Sequence, residues 1–337
     1  MMRKIPDWWG SNKHYRICDV MDGLRSIPDK VIHCVVTSPP YFSLRDYGVD
    51  GQIGLEETME EYIQKMVDIF KEIKRVLRDD GTVWLNIGDA YSNKYENGLK
   101  PKDLIGIPWR LAIALQTDGW YLRSDIIWKK KNSMPESVID RPSKSHEYIF
   151  LLTKNNNYYY DKECIRDDDN KGKRTVWDIS TIPGDVEHIA MFPPELPMMC
   201  IKRGSSRKGA CPECGAPWKE IFERKRKEGR PPTNCGNMDN DGRTRTTSGL
   251  NVPAEYKMVK VKSIGFRPTC SCDNKTTVPC IVLDPFLGSG TTVRVANDNA
   301  RIGLGFELNP EYKEIIESKI YGTSVGFEID DNLDNIW

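Results

Sequence analysis

The sequence predicts an α/β fold with a doubly wound, mainly parallel sheet that is interrupted once by an insertion. Three observations favour this class. Short apolar runs alternate along the chain with segments of helical periodicity. The 337 residues suffice for one large domain with a buried core. A single polar, basic segment without apolar periodicity separates the two ordered parts.

The predicted elements follow one another in the order expected for such a sheet. Strands are predicted over residues 14–18, 31–36, 82–87, 121–128, 148–153, 280–284 and 301–308. The longest predicted helix covers 59–77 and ends near Gly81. Further helices are predicted over 108–115, 195–202, 290–297 and 311–320.

Composition excludes several classes of protein. The chain is 39% hydrophobic and 29% charged, which is typical of a soluble globular protein rather than a disordered one. No apolar run approaches the roughly 20 residues of a membrane span, and residues 1–11 lack the apolar core of a secretory signal. Ten cysteines in such a chain indicate a reducing compartment. We therefore expect a cytoplasmic location.

Charge is distributed unevenly, although the chain has 49 basic and 49 acidic residues. Between residues 202 and 267 there are sixteen Lys and Arg against seven Asp and Glu. The segment 325–337 has four acids and no base. The basic segment predicts a module that faces a polyanion, with a solvated surface loop as the alternative.

A glycine-rich loop follows the predicted strand over 280–284. Its Gly288 and Gly290 allow a tight turn and bring backbone amides close to a ligand at the start of the next helix. The loop matches neither the phosphate loop of nucleotide hydrolases nor the dinucleotide-binding glycine motif. Glu307 ends the following strand, where an acid binds the two hydroxyls of a ribose. Together they predict a ribose-bearing cofactor without a large pyrophosphate.

A second loop, Thr37-Ser38-Pro39-Pro40-Tyr41, follows the strand predicted over 31–36. Two consecutive prolines fix the backbone and leave carbonyl groups without competing amides. The Ser38 oxygen and the carbonyl of Ser38 or Pro39 are therefore suited to bind an amino group while Tyr41 stacks on its ring. A rigid structural turn is the alternative, which the strand context and the glycine-rich loop disfavour.

In this order, the two loops resemble those of the amino-group DNA methyltransferases that use S-adenosylmethionine. The resemblance covers nearly the whole chain except the insertion. It implies a Rossmann-like, mixed seven-stranded sheet in the circularly permuted order of the β group, with residues 145–154 lining the target pocket. The implied catalytic residues are Ser38, Pro39, Pro40 and Tyr41. The implied cofactor contacts are Asp19, Thr37, Asp284, Pro285, Phe286, Gly288, Ser289, Gly290, Thr291, Thr292 and Glu307.

The resemblance implies site-specific methyl transfer to the exocyclic amino group of a base flipped out of duplex DNA. Serine at position 38 is commoner in cytosine-amino enzymes, so N4-methylcytosine is favoured over N6-methyladenine. The other hypotheses are a non-catalytic zinc-bearing DNA-binding protein and an amino-methyltransferase of RNA or protein. Methylation at cytosine carbon 5 is rejected, because Cys280 precedes a strand and is expected to be buried. A bacterial or phage origin and a cognate restriction endonuclease are also expected.

Four cysteines in the insertion have the spacing of a metal site. Cys211-Pro212-Glu213-Cys214-Gly215 is a zinc-knuckle turn, and Cys270 and Cys272 offer two further thiolates. A structural zinc ion is predicted there, with Cys235 as a substitute ligand and reduced thiols as the alternative.

The domain organisation follows from these features. Residues 1–202 are predicted to form the catalytic half, with a recognition segment at 155–187. In this segment the side chains that could stack on bases are Tyr158, Tyr159, Tyr160 and Trp177. The alternative for the three tyrosines is packing against the core. Residues 203–275 form the insertion, 276–325 the cofactor half and 326–337 an acidic tail. The side chains expected to contact DNA phosphates are Arg203, Arg207, Lys208, Arg224, Lys225, Arg226 and Lys227.

Overall fold

The computed structural model describes residues 14–93, 95, 98–133, 135–164, 174–181, 192–225 and 260–322. These residues form two compact units. The smaller unit is Lys219–Arg267, and the larger one combines the chain before it with the chain after it. No helix in these ranges has the length and apolarity needed to cross a membrane.

The larger unit is built on one mixed sheet. Its strands lie in the order β1-β10-β9-β2-β3-β5-β4-β6, and within the described residues only β5 runs antiparallel to its neighbours. The strands are β1 (Tyr15–Ile17), β2 (Ile32–Thr37), β3 (Leu77–Ile87), β4 (Tyr121–Lys130), β5 (His146–Thr153), β6 (Val176–Ile179), β9 (Ile281–Asp284) and β10 (Ile302–Glu307). The α/β class is confirmed.

The sheet has eight strands in the described chain, where seven were expected. The additional strand is β6, a four-residue edge strand that pairs with the end of β4. Its Trp177 is 2% exposed and lies 6.2 Å from Trp84 between ring centroids. The expectation that Trp177 offers a stacking surface was therefore wrong, because this ring fills the core.

Helices cover both faces of the sheet. On one face α1, α2 and α3 pack with the apolar side of the strands, and on the other α4 and α5 do so. Alternate residues of β2 serve the two layers: Val35 joins the first core, whereas Cys34 and Val36 join the second. The helices are α1 (Val20–Arg25), α2 (Met59–Val76), α3 (Ile107–Thr117), α4 (Glu195–Gly204), α5 (Thr291–Asp298) and α6 (Lys313–Tyr321).

The smaller unit contains an antiparallel pair of strands, β7 (Lys219–Lys225) and β8 (Lys260–Arg267). Besides β6, the strands β7 and β8 and the helix α1 were absent from the predicted order. Helix α1 has only six residues, and β7 and β8 lie in the charged segment without apolar periodicity. Cys280 is fully buried directly before β9, as expected.

Candidate functional site

A cavity of about 410 Å³ opens at one edge of the sheet in the larger unit. Parallel strands end there, so side chains at or just after the ends of β1, β2, β3, β9 and β10 converge on it. Both loops singled out in the sequence line this cavity. The predicted residues in its wall are Asp19, Ser38, Pro39, Pro40, Tyr41, Pro285, Phe286, Gly288, Ser289, Thr291 and Glu307.

The glycine-rich loop is held to the adjacent strand by Glu307. One carboxylate oxygen accepts a hydrogen bond from the Gly288 amide at 2.8 Å, and the other accepts one from the Asn309 amide at 2.9 Å. Gly288 has a φ of +54°, a conformation that glycine adopts without strain. Burial raises the pKa of Glu307, while the amide hydrogen bonds act to lower it. The Glu307 carboxylate thus faces the cavity beside Gly288, a position of the turn that carries no side chain.

Asp284 lies beneath this loop rather than in the cavity wall. It is 1% exposed and accepts hydrogen bonds from the Thr37 hydroxyl at 2.7 Å and the Thr292 hydroxyl at 2.6 Å. Burial raises its pKa to about 7 against the effect of these two hydrogen bonds. Asp284 therefore links the loop 37–41 to the segment 288–292 through these two hydrogen bonds. Gly290, which precedes α5 with a φ of +88°, packs on Ile320 and also lies outside the wall.

Ser38 of the loop 37–41 lines the cavity. The Pro40 carbonyl and the Tyr41 hydroxyl of this loop are held by hydrogen bonds to neighbouring elements. The Tyr62 hydroxyl donates to the Pro40 carbonyl at 2.9 Å. Tyr41 donates from its hydroxyl to Glu147 Oε2 at 2.7 Å, and Ser38 Oγ lies 3.2 Å from the same hydroxyl. Burial raises the pKa of Tyr41 well above its ordinary value, and nearby Glu147 adds to this effect.

Several polar residues of the cavity were not among the predicted site residues. Asn86 is the second-to-last residue of β3, Lys130 ends β4 and Glu147 is the second residue of the antiparallel strand β5, so all three meet at one edge. The segment 145–154 was expected to line the target pocket, but nothing in its residue pattern singles out Glu147. The pairing of Trp128 with Glu147 across β4 and β5 supplies that reason.

The chain after Tyr41 forms another wall of the cavity, from Leu44 to Ile53. The Gln52 side chain holds this loop together, because it accepts from the Tyr47 amide and donates to the Arg45 carbonyl, both at 2.7 Å. Phe192, from the segment that precedes α4, also lines the cavity. Cavity walls that are largely apolar with a few fixed polar groups are typical of small-molecule sites.

The four cysteines of the predicted metal site lie together. Their sulfur atoms are all within 4.8 Å of one another. The Cys211 amide donates to the Ala216 carbonyl at 2.9 Å, and the Gly215 amide to the Cys211 carbonyl at 2.8 Å, which closes the knuckle turn. Arg78 Nη1 donates to the Cys214 carbonyl at 2.8 Å and His33 Nε2 lies 3.0 Å from the Gly215 carbonyl. The four thiol groups fit a tetrahedral metal.

The predicted DNA contacts divide into three groups. Arg203 is 2% exposed, donates to the Met199 carbonyl and lies 5.2 Å from the Trp177 ring, so the prediction of a phosphate contact was wrong for this residue. Its position on the buried side of α4 explains the difference. Arg207 and Lys208 are exposed. Arg224 and Lys225 lie in β7, and Arg226 and Lys227 fall outside the described residues.

Among the three tyrosines after β5, Tyr158 packs against the second core and Tyr160 stacks on Trp84 with ring centroids 6.4 Å apart. Tyr160 remains 38% exposed. The packing alternative thus describes Tyr158, and base stacking stays a prediction for the exposed Tyr160.

Comparison with known proteins gives a consistent result. The family described as DNA methylase, with N6 and N4 amino specificities, matches residues 32–211 and 276–318. Type II methyltransferase M.Cfr9I of Citrobacter freundii is 39% identical over 329 residues, spanning 90% of this chain and 86% of its own. Type II methyltransferase M.SmaI of Serratia marcescens is 38% identical, spanning 90% of this chain and 88% of its own.

Solved structures share the fold. The PvuII DNA methyltransferase, described as cytosine-N4-specific, superposes with a TM-score of 0.59 at 18% identity over 96% of this chain and 90% of its own. A putative DNA modification methylase from Thermus thermophilus, solved with S-adenosylmethionine, gives 0.54 at 21% identity over 91% of this chain and 92% of its own.

Proposed function

This chain belongs to the N6/N4 DNA methylase family, and we propose that it methylates the exocyclic amino group of cytosine at specific sites in duplex DNA. Membership makes it a DNA amino-methyltransferase of the Type II class that uses S-adenosylmethionine. One observation carries the proposal further: Ser38, in the loop after β2, and Glu307, at the end of β10, line the same cavity. The cavity of about 410 Å³ is within the size range of small-molecule sites.

The residues that suit the cofactor follow from the chemistry of the cavity wall. Glu307 and the Gly288 turn suit the ribose hydroxyls, and Asp19, Pro285 and Phe286 line the wall beside them. S-Adenosylmethionine supplies an electrophilic methyl group on a sulfonium. The protein contributes orientation and electrostatics rather than a covalent intermediate.

An exocyclic amino group is a weak nucleophile because its lone pair is delocalised into the ring. Hydrogen bonds from its two protons to Ser38 Oγ and to a loop carbonyl favour a tetrahedral nitrogen, which frees the lone pair. The Pro40 carbonyl already accepts from Tyr62, so the carbonyl of Ser38 or Pro39 is the second acceptor. The target base reaches these groups only after it leaves the helix, so base flipping is part of the proposal.

Cytosine is proposed over adenine for two reasons. Serine occupies the first position of the loop, which is commoner in cytosine-amino enzymes, and a structure of the same fold is described as cytosine-N4-specific. Adenine N6 is the alternative. A cognate restriction endonuclease and a cytoplasmic location are also proposed, because the relatives named above are Type II enzymes of bacteria.

Nucleoside mass spectrometry tests the function directly. Duplex DNA incubated with the protein and S-adenosylmethionine should yield N4-methylcytosine, and Ser38→Ala should abolish it while cofactor binding persists. N6-methyladenine as the product would replace cytosine by adenine in the proposal. Activity of Ser38→Ala equal to that of the wild type would remove the assigned role of Ser38.

We further propose that Cys211, Cys214, Cys270 and Cys272 hold a structural zinc ion. A tetrahedral ion with Zn–S bonds of about 2.3 Å places sulfur atoms about 3.8 Å apart, within the observed spacing of 4.8 Å. The two pairs of cysteines lie just before and just after the smaller unit in the sequence. Such an ion joins the two chain segments that lead into and out of that unit.

Metal analysis of the purified protein tests this zinc site. About one equivalent of zinc is expected, and Cys272→Ser should lower it strongly while Cys235→Ser leaves it unchanged. Zinc below half an equivalent in the wild type would count against the site. Loss of zinc in Cys235→Ser instead would assign the fourth ligand to Cys235.

A further inference from the structure

A chain of hydrogen bonds runs from Ser38 to an ion pair behind the loop 37–41. Ser38 Oγ lies 3.2 Å from the Tyr41 hydroxyl, which lies 2.7 Å from Glu147 Oε2. Lys130 Nζ donates to Glu147 Oε1 at 2.6 Å. Asn86 Nδ2 donates to Oε2 at 3.0 Å. Both carboxylate oxygens therefore have donors, and at its other end the row of hydrogen bonds reaches the Ser38 hydroxyl, which lines the cavity.

Packing fixes the ion pair in place. The side chains of Lys130 and Glu147 are 25% and 14% exposed, so the pair is sheltered from solvent. Lys130 Nζ also lies 5.1 Å from the centre of the Trp128 ring, and Trp128 itself is buried. Because Lys130 ends β4 and Glu147 is the second residue of β5, the register of these two strands sets their separation. The pair is thus part of the framework and not a mobile surface contact.

The ion pair determines the direction of every hydrogen bond in the chain. A carboxylate accepts and does not donate, so the Tyr41 hydroxyl donates its proton to Glu147. The Tyr41 oxygen is then left to accept, and the Ser38 hydroxyl donates to it. Both lone pairs of Ser38 Oγ consequently remain as acceptors. When a row of hydrogen-bonded hydroxyls ends on an anion, each hydroxyl oxygen is polarised and becomes a stronger hydrogen-bond acceptor.

We propose that Glu147 is a positioning residue that turns Ser38 Oγ into a fixed hydrogen-bond acceptor for the amino group of the target base. The inference rests on the proposed amino-methyl transfer and deepens it. A free serine hydroxyl can donate or accept, whereas a target amino group needs an acceptor. Glu147 thereby supplies, through Tyr41, the acceptor character that a carboxylate in the position of Ser38 has by itself.

Two substitutions interrupt the hydrogen bonds from Ser38 to Glu147 while they keep the size of the side chains nearly unchanged. Glu147→Gln keeps the size of the side chain, but its amide can donate to Tyr41 and reverse the chain. Tyr41→Phe keeps the ring and removes the hydroxyl. Each variant is expected to slow single-turnover methyl transfer roughly 10²-fold, the loss typical of one misdirected hydrogen bond at a reacting group. The dissociation constant for S-adenosylmethionine should stay within about twofold, because neither group lies in the cofactor loop.

The double variant separates a positioning role from a structural one. If both residues act through one chain, Glu147→Gln with Tyr41→Phe should be no slower than the slower single variant. Glu60→Gln, on the exposed side of α2, is the matched control and should keep the wild-type rate.

Three outcomes would overturn the inference: multiplicative losses in the double variant, a wild-type single-turnover rate in Glu147→Gln, or loss of cofactor binding together with rate. Failure of the proposed function is distinct, since the wild-type protein itself would then leave DNA unmethylated.

Discussion

Asp284 is a buried carboxyl group whose pKa is raised from 3.8 to about 7 by burial. The folded protein therefore binds this proton more tightly than the unfolded chain. The contribution of this bound proton to the free energy of unfolding is fully present below about pH 4 and is lost as the pH rises toward 7. We predict that Asp284→Asn, which carries no charge, gains melting temperature relative to the wild type as the pH rises from about 4 to 7.5.

Thermal unfolding across this pH range measures the effect. One pKa unit corresponds to about 1.4 kcal/mol, so the change in relative stability is at most about 4 kcal/mol. Asp125→Asn, at an exposed position of β4, is the control and should show no such trend. A constant difference in melting temperature between Asp284→Asn and the wild type would show that this carboxyl does not titrate as described.

Glu307 combines two tasks that a glutamine cannot perform together. Its carboxylate already accepts from two backbone amides, and its remaining lone pairs suit ribose hydroxyls. In Glu307→Gln, the amide NH₂ would face one of these backbone donors. We predict a dissociation constant for S-adenosylmethionine raised about ten- to hundredfold, since hydrogen bonds to a charged group contribute about 1.5–3 kcal/mol.

Isothermal titration calorimetry of the cofactor measures this loss. Glu311→Gln lies four residues further on, at an exposed position, and should bind as the wild type does. Equal affinity of the wild type and Glu307→Gln would exclude the ribose contact.

Helix α1 packs on β10 through a glycine. A methyl group added at Gly23 would lie 2.5 Å from the Phe306 ring, closer than carbon atoms approach. We predict that Gly23→Ala lowers the free energy of unfolding by about 1–3 kcal/mol, the usual cost of overpacking. Adding Phe306→Leu should recover part of this loss, because only ring atoms of Phe306 are the nearest neighbours.

Chemical denaturation of the two single variants and the double variant tests this packing. Phe306→Leu alone serves as the control and should be mildly destabilised. Additive losses in the double variant would show that α1 shifts as a unit and does not clash with the ring.

Elements of the fold were predicted correctly where their own residues determine the conformation, and were missed where a tertiary contact does. The apolar runs of β2 and β9 and the periodicity of α2 define these elements locally, and all three were predicted close to their observed bounds. Strand β6 is four residues long at a sheet edge, so its pairing with β4 decides its conformation. The predicted phosphate contact of Arg203 was also wrong because it depends on tertiary structure. Only the position of Trp177 in the fold shows that the Arg203 side chain is buried on α4.

The same distinction applies to the site. Ser38 and Gly288 stand in loops with distinctive sequences, Glu307 ends the strand after the glycine-rich loop, and each lies in the cavity wall. Glu147 is one acid among 49 Asp and Glu in the sequence. Its importance arises because an antiparallel strand brings its first residues to the edge where the parallel strands end. Sequence spacing carries no information on such a meeting of remote residues.

At the scale of the whole molecule, the zero net charge is the sum of a basic segment and an acidic remainder. Residues 202–267 carry sixteen basic and seven acidic side chains, and most of this segment belongs to the smaller unit. The cavity and its loops belong to the larger unit. Cofactor binding and attraction of DNA phosphates are therefore expected to respond to different substitutions.

Replacing Arg224, Lys225, Arg226 and Lys227 together by glutamine tests this separation. Each phosphate contact contributes about 0.9 to the slope of log affinity against log salt, so the slope should become shallower by up to about 3.6. Fluorescence anisotropy with duplex DNA between about 50 and 200 mM salt measures it. Cofactor affinity should not change, because these positions lie far along the chain from every residue of the cavity wall.

A matched variant removes the same number of charges from the larger unit. Arg25, Lys65, Lys71 and Lys313 are exposed there, and their replacement by glutamine lowers the net charge equally. If the basic segment binds phosphates directly, this control should leave the slope almost unchanged, since counterions are released only where charges meet the DNA. If both variants flatten the slope to the same extent, overall charge attracts the DNA and residues 224–227 are no specific contact.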